Sequence, residues 1–353
     1  MLLYIHIPFC DSKCHYCAFN SYTNRFHLKK SYMAALKKQL YFELNKNIDE
    51  KSIETVFIGG GTPSTIKVEE YEELFKIFIP YLKKDCEITT ECNPNSATKQ
   101  WLEGMYNLGV NRVSFGVQSF NDEKLKKLNR AHNSKGAIKA IQNAKCIGFN
   151  SINCDIIYGV QGDSFELIKN DFDTISSLDV EHLSAYSLTL EEGTYFFDKK
   201  EIKIDDEELS YKIFAYLKKL GFEQYEISNF AKNKDYESKH NYGYWQHKEY
   251  LGVGAGAVGY LDNKRFYSQK GLEEYISNPL KYEIEDLSQK DIIVEKVLLG
   301  LRCSNGFDKN ILTQKQTSKV EELKKEQKIE ERKDRIFNKN FLLADELALY
   351  ILE

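Results

Sequence analysis

The stretch YIHIPFCDSKCHYCAF, Tyr4 to Phe19, joins two patterns on which the reading of the whole chain turns. It opens as an apolar, β-branched strand and runs directly into Cys10, Cys14 and Cys17, three cysteines within eight residues. Thiolate metal sites usually close with four ligands, yet no fourth cysteine is near and position 19 is phenylalanine. Three thiolates suit three irons of a cubane 4Fe-4S cluster whose fourth iron is open to an outside ligand. The alternative is zinc, with His15 or His6 completing a tetrahedral set.

Working outward, LLYIHI (2–7) is the first of six strand-like runs, followed by ETVFIG (54–59), CEITTE (86–91), RVSFGV (112–117), INCDIIY (152–158) and HLSAYSLTL (182–190). Amphipathic patterns with apolar residues three to four apart lie between them: YMAALKKQLYFEL, YEELFKIFIPYL, KGAIKAIQNAKCIG and ELIKNDFDTISSL. Strict alternation of strand and helix predicts a parallel sheet with right-handed crossovers, and the number of units fits a complete or partial (β/α) barrel. The expected fold is α/β: a partial barrel over residues 1–230 and a smaller α/β or helical C-terminal region over residues 231–353. In the latter, SKVEELKKEQKIEERKDRIF (318–337) reads as a solvated helix with a thin apolar stripe through Val320, Leu323 and Ile336.

A formal charge of −4 and a large excess of lysine over arginine leave no footprint of a nucleic-acid binder. MLLYIHIPF has no basic start and no cleavage site, and the longest apolar run, LGVGAGAVGYL, is too short to span a bilayer. A cytoplasmic protein is expected. Eight cysteines in such a chain are expected to be reduced thiols.

The unusual residues fall just after the strands, where a barrel of this class builds its site. GGGTPS (59–64) ends the second strand; its glycines let backbone amides approach a ligand, and no Gly-Lys-Ser/Thr follows to make a nucleotide loop. Glu91, Gln118, Arg130 and Asp155 are each ordinary polar residues at element ends. Together they offer carboxylates, a cation and hydrogen-bonding groups to one ligand. A second glycine set, GAGAVG (254–259), matches the dinucleotide pattern formally but sits outside the alternating region and opens no clear helix.

YIHIPFCDSKCHYCAF, FIGGGTPS, TECNP, GVQSF, LNRAH and DIIYG, in this order, resemble the radical S-adenosylmethionine (SAM) family, in its coproporphyrinogen oxidase-like branch, over nearly all of residues 1–260. The resemblance implies a 4Fe-4S cluster on Cys10, Cys14 and Cys17. It implies SAM held by Tyr4, Gly60, Gly61, Thr62, Glu91, Gln118, Arg130 and Asp155. The branch has two principal kinds of member, an oxygen-independent coproporphyrinogen III oxidase and a heme chaperone. The oxidase typically carries an N-terminal extension and a further cysteine where this chain has Phe19. KHNYGYW (239–245) resembles the H-N-x-x-Y-W pattern of the chaperone group. The resemblance therefore favours heme as a third bound group, His240 as its candidate ligand, apo-hemoproteins as acceptors, and no catalytic residue of its own. It leaves transient membrane contact open. The oxidase is the alternative.

Overall fold

The computed structural model describes residues 1–353, the side chain of Asn47 excepted. Polar and apolar residues alternate along six strands, and this alternation gives the sheet two unlike faces. β1 (Leu2–Ile7), β2 (Ile53–Gly60), β3 (Leu82–Cys92), β4 (Arg112–Gln118), β5 (Ser151–Tyr158) and β6 (His182–Ser187) lie side by side in chain order, all parallel. The crossovers carry α1 (Lys29–Asn47), α2 (Val68–Phe78), α3 (Lys99–Asn107), α4 (Asp122–Lys127), α5 (Ser134–Ile147) and α6 (Phe165–Ser177). Leu3, Ile5, Val56, Ile58, Val113, Phe115, Ile152 and Cys154 share one core with helix residues such as Leu36, Leu74, Leu102, Ile141 and Phe172. With a period of two, Tyr4, Thr55, Glu91, Arg112, Ser114, Asn153, Asp155 and His182 occupy the opposite face. A parallel strand buried on both sides is usually apolar throughout, so this second face is reserved for something other than helices.

The sheet stays open. After α7 (Glu207–Lys219), the short β7 (Glu223–Gln224) and β8 (Asn229–Ala231) finish one edge, with β8 antiparallel to β6. α8 (Lys239–Trp245) follows. At the other edge β9 (Tyr250–Val253) pairs parallel with β1 and continues into the antiparallel β10 (Val258–Leu261), β11 (Lys264–Ser268) and, after α9 (Leu272–Ser277), β12 (Tyr282–Asp286). The partial (β/α) barrel expected from the sequence is thus what forms, within a 12-stranded sheet. GAGAVG spans the turn between β9 and β10 and the first two residues of β10; in the turn Gly254 and Gly256 have φ of 113° and 77°. A Cβ on Gly254 would meet His6 O at 2.7 Å, and one on Gly256 would meet Asn20 Nδ2 at 2.7 Å. These glycines serve close packing on β1 and the loop after it.

A second apolar core gathers after the main sheet. α10 (Gln289–Leu301), β13 (Phe307–Asp308), α11 (Gln314–Lys325), β14 (Ile329–Arg332), β15 (Arg335–Asn338) and α12 (Ala344–Leu352) close around Val297, Leu301, Val320, Leu323, Ile336 and Leu347. The charged run read as one solvated helix is instead a helix followed by a hairpin. α11 stops at Glu326, and Gln327 turns the chain with φ 59°. β14 and β15 then pair through a tight turn at Lys333 and Asp334, both at positive φ. Dense charge hid the change of period. Glu331 is held by Lys309 and Lys324 at 2.5 and 2.6 Å, while Ile336 pairs with Phe307.

Two consecutive left-handed residues favour Asn-Gly. Replacing Lys333-Asp334 with Asn-Gly is expected to stabilise the C-terminal core by about 1 kcal/mol, read as a higher urea midpoint. A lower midpoint would contradict the hairpin.

Candidate functional site

The loop between β1 and α1 carries the three cysteines and is stitched to itself across its width. Cys10 N donates to Tyr22 O (3.1 Å), Tyr22 N to Pro8 O (2.7 Å), and Lys13 Nζ to Phe19 O (2.7 Å) and Ser21 Oγ (2.8 Å). His15 leaves the cysteines, donating from Nδ1 to Lys127 O and stacking on Tyr195. His6 is occupied on both nitrogens: Nε2 donates to Asn20 O and Nδ1 accepts from the Tyr4 hydroxyl, both at 2.9 Å. Neither histidine of the zinc alternative therefore faces the thiols. Among the described residues no group of three or more His, Cys, Asp or Glu closes on one ion, whereas a cubane asks for one thiolate per iron.

Around the thiols the strand ends supply hydrogen-bond donors. Thr62 Oγ1 donates to Cys10 Sγ (3.4 Å) and Arg130 Nη1 to Cys14 Sγ (3.1 Å) and the Tyr16 hydroxyl (3.3 Å). Arg130 Nη2 reaches Asn93 Oδ1 and Gly116 O, each at 2.5 Å. Burial pushes the Cys10 and Cys17 thiols up, and the Thr62 hydroxyl draws Cys10 partly back.

The glycines after β2 act differently from the expectation that their amides face a ligand. Gly60 N donates to Glu91 Oε2 (2.9 Å), Gly61 N to Ile7 O (2.8 Å) and Thr62 N to Phe9 O (2.7 Å). A Cβ on Gly60 would lie 2.3 Å from the His6 ring, and one on Gly61 2.8 Å from Ile7 O. Absence of side chains lets β2 close onto β1, and only the surface that remains lines the site.

Strand register assembles the acids. Ser114 pairs with Glu91 on one side and Asn153 on the other, and Asp155 follows two residues on. Burial raises Glu91 to about 7, opposed by the Gly60 amide and reinforced by Asp155. Asp155 is also raised by burial, with Ser184 and Asn153 pulling it back. β4 bulges between Phe115 and Gln118, leaving Gln118 at φ 69° with Oε1 buried and unpartnered. Such bulges and strained residues recur beside functional sites. His132, 2.9 Å from Val117 O, holds the bulge.

One hollow is lined by Cys10, Cys14, Cys17, Gly60, Gly61, Thr62, Glu91, Gln118, Arg130 and Asp155. A larger one of about 720 Å³ adjoins it beneath Tyr16, Cys17, Phe19, Glu91 and Asp155. Tyr4 stands on the same concave face, stacked on Phe57. His240 lies elsewhere. It is 1% exposed in α8, with Nδ1 2.7 Å from Thr55 Oγ1, Nε2 3.0 Å from the Tyr244 hydroxyl, and its ring stacked on Phe57. Burial lowers its pKa to about 3. An iron at Nε2 would have to displace Tyr244, so in this arrangement His240 is a core histidine. Asn93, Asn153 and His132 were not singled out in sequence, although each lies inside a quoted motif. The signal for Asn153 was available as a polar residue two before Asp155 on one strand face.

This geometry can be set beside known proteins. The profile of the radical SAM superfamily matches residues 4–175. The heme chaperone HemW of Bacillus subtilis is 34% identical over 327 residues, 88% of this chain and 86% of that protein. HemW of Escherichia coli is 36% identical over 267 residues, 73% and 69% of the two chains. Among solved structures, Escherichia coli coproporphyrinogen III oxidase (HemN), a radical SAM enzyme, superposes with a TM-score of 0.82 over 99% of this chain and 89% of that one. At 22% identity it speaks for the fold alone. The chain belongs to the radical SAM superfamily and, within it, to the HemW family. Cofactors of the superfamily are a 4Fe-4S cluster and SAM. Among the described residues no helix is long and apolar enough to cross a membrane.

Glu91 generates a pH prediction. Its folded pKa of about 7 lies above the ordinary 4.5, so the folded chain holds a proton that the unfolded chain has released. Stability of the ligand-free protein is expected to fall as pH rises from about 4.5 to about 7, by at most about 3 kcal/mol from this group. Glu91→Gln should flatten that interval in denaturant titrations. An unchanged pH profile would show that Glu91 is already ionised.

Proposed function

We propose that this protein is a cytoplasmic heme chaperone, which binds heme and passes it to apo-hemoproteins while carrying a 4Fe-4S cluster and SAM. The observation that carries the reading is 34% identity to a heme chaperone over 88% of the chain. Cys10, Cys14 and Cys17 would hold the cluster. Tyr4, Gly60, Gly61, Thr62, Glu91, Gln118, Arg130 and Asp155 would hold SAM. The donor set fits: three thiols lie in one hollow without a histidine beside them, and Gln118 Oε1 and Arg130 Nε are buried there without partners. When bound, the cluster and SAM supply one-electron reductive chemistry.

The chain's own residues do the rest. Arg130 and Thr62 donate to Cys14 and Cys10 and so fix the thiols that meet the irons. Glu91, ionised, would pair with the SAM ammonium, and Asp155, steadied by Asn153 at 2.8 Å, would take the ribose hydroxyls. Phe19, 65% exposed at the mouth of the larger hollow, stands where the resemblance places the oxidase's further cysteine. We propose residues 1–230 as the cofactor-bearing part and residues 231–353 as the part that distinguishes the chaperone.

Anaerobic reconstitution is expected to give about four iron and four sulfide per chain, abolished by Cys14→Ala. The reconstituted protein should bind heme and donate it to an apo-hemoprotein without converting coproporphyrinogen III. Repeated decarboxylation turnovers would overturn the chaperone reading in favour of the oxidase.

His240 can serve as heme ligand only by leaving Tyr244. Under that role Tyr244→Phe, which frees Nε2, tightens heme binding severalfold, and adding His240→Ala removes the gain. Heme titrations followed in the Soret band check this, and identical spectra in both variants would leave His240 a core residue.

A further inference from the structure

The buried stripe of α6 runs through Ile168, Phe172 and Ile175, and Asp171 stands inside it, 3% exposed. A carboxylate in such a stripe disfavours the fold unless donors answer it. Here they come from one place, the turn that follows β4. Phe120 N donates to Asp171 Oδ1 (2.6 Å) and Ser119 Oγ to Oδ2 (2.8 Å), and Ser119 Oγ accepts in turn from the amide of Asn121 (3.0 Å), the residue that caps α4. Burial raises the Asp171 carboxyl, opposed by the Phe120 amide, the Lys124 charge and the Ser119 hydroxyl. Lys124 pairs with Asp163 Oδ2 at 2.9 Å, and the same oxygen accepts from Val160 N (3.0 Å), so α4 is tied to the turn after β5 without Asp171.

The turn begins at the strained residue. Gln118 has φ 69°, a left-handed conformation that a non-glycine residue keeps only where its surroundings enforce it. Before it, His132 holds Val117 O and Arg130 holds Gly116 O. After it, Asp171 holds both following residues. The Gln118 side chain is thereby aimed into the cysteine hollow: Oε1 is buried without a partner, and Nε2 lies over Gly116, where a Cβ would come within 3.3 Å of it. Removing the Asp171 carboxylate leaves a buried amide and a buried hydroxyl without their acceptor. They recover partners by turning, and the strained link at Gln118 is where the chain gives.

We propose that Asp171 is a positioning residue for SAM: by holding Ser119 and Phe120 it keeps Gln118 left-handed, so that the Gln118 amide meets the ligand. Asp171 itself is not on the wall of the hollow. The inference rests on the SAM site proposed above and adds to it a residue on a helix outside the barrel's concave face.

The test is a double-mutant cycle on anaerobically reconstituted protein, with SAM affinity measured by calorimetry in the wild type, Asp171→Asn, Gln118→Ala and the double variant. Asp171→Asn is expected to weaken SAM binding about tenfold, the effect of one lost hydrogen bond to a charged ligand, with iron content and cluster absorbance as in the wild type. In the Gln118→Ala background the same substitution is expected to change the affinity by less than about twofold. Ser119→Ala, which removes one donor and keeps the Phe120 bond, is expected to repeat the pattern with a smaller loss, and it carries the test if Asp171→Asn does not fold. A purely structural role lowers SAM affinity alike in both backgrounds. That result, or unchanged affinity in the Asp171 and Ser119 variants while Gln118→Ala binds weakly, overturns the inference and leaves the SAM site standing. Unchanged affinity in Gln118→Ala alone overturns the placement of Gln118 in that site and the inference with it.

Discussion

One guanidinium joins the parts of the site that the chain delivers separately. Arg130 contacts Cys14 and Tyr16 on the loop after β1, Asn93 after β3, and the carbonyl of Gly116 inside the β4 bulge. Charge-assisted hydrogen bonds are about twice as strong as neutral ones, and here several act from one rigid fork on three segments. Other hydrogen bonds also tie the cysteine loop down, among them Thr62 to Cys10 and Asn129 to Lys13, but only Arg130 links three segments at once. The bulge exposes Gly116 O to Arg130 and turns Gln118 into the hollow, so the strain in β4 and the position of the thiols are parts of one arrangement.

The second constraint is the open, polar face of the sheet. A closed barrel would fill its interior with side chains in layers; the parallel part of this one ends at β6, and its concave side holds acids, amides and a buried arginine. Much of that polarity is answered by the chain itself. α8 presents the amides of Lys239 and His240 to Glu87 at 3.1 Å, and Tyr225 closes the relay through His182 and Asn153 to Asp155. Of the side-chain atoms left buried and unanswered, those on Gln118, Arg130 and Arg112 border the two hollows, while others, on Ser151, Glu226 and Trp245, do not. Each buried polar group left unmade disfavours the fold by about 1 to 3 kcal/mol. The three that border the hollows are the physical mark of a site completed by ligands.

Two sequence features that invite a chemical reading prove to be structural first. The glycine run at the end of β2 gives its amides to Ile7 and Glu91, with Thr62 N donating to Phe9, and its missing side chains leave room for the His6 ring. His240, prominent among aromatics in KHNYGYW, seals the floor of the barrel with both ring nitrogens engaged. In both cases the residue type suits the chemistry and equally suits a tight internal contact. Only the identity of the hydrogen-bond partner separates the two.

The sequence by itself determined the alternation of strands and helices, the parallel order, the open barrel and the three-cysteine loop. These depend on local periodicity and on residues a few positions apart, which a linear reading captures. It also singled out Glu91, Gln118 and Asp155, because a strand's end is visible in the chain, and Arg130, from the motif LNRAH after α4. It did not disclose the hairpin after α11, where charge masked a change of period and Ile336 reached the core from a strand. Nor could it assign partners. That Arg130 binds a thiol, that His6 takes the Tyr4 hydroxyl and not a metal, and that Arg112 meets only the N–H of His182 are facts about groups 2 to 116 residues apart in sequence. Hydrogen bonds depend on distance and direction in space, and those were decided only when the strands took their register.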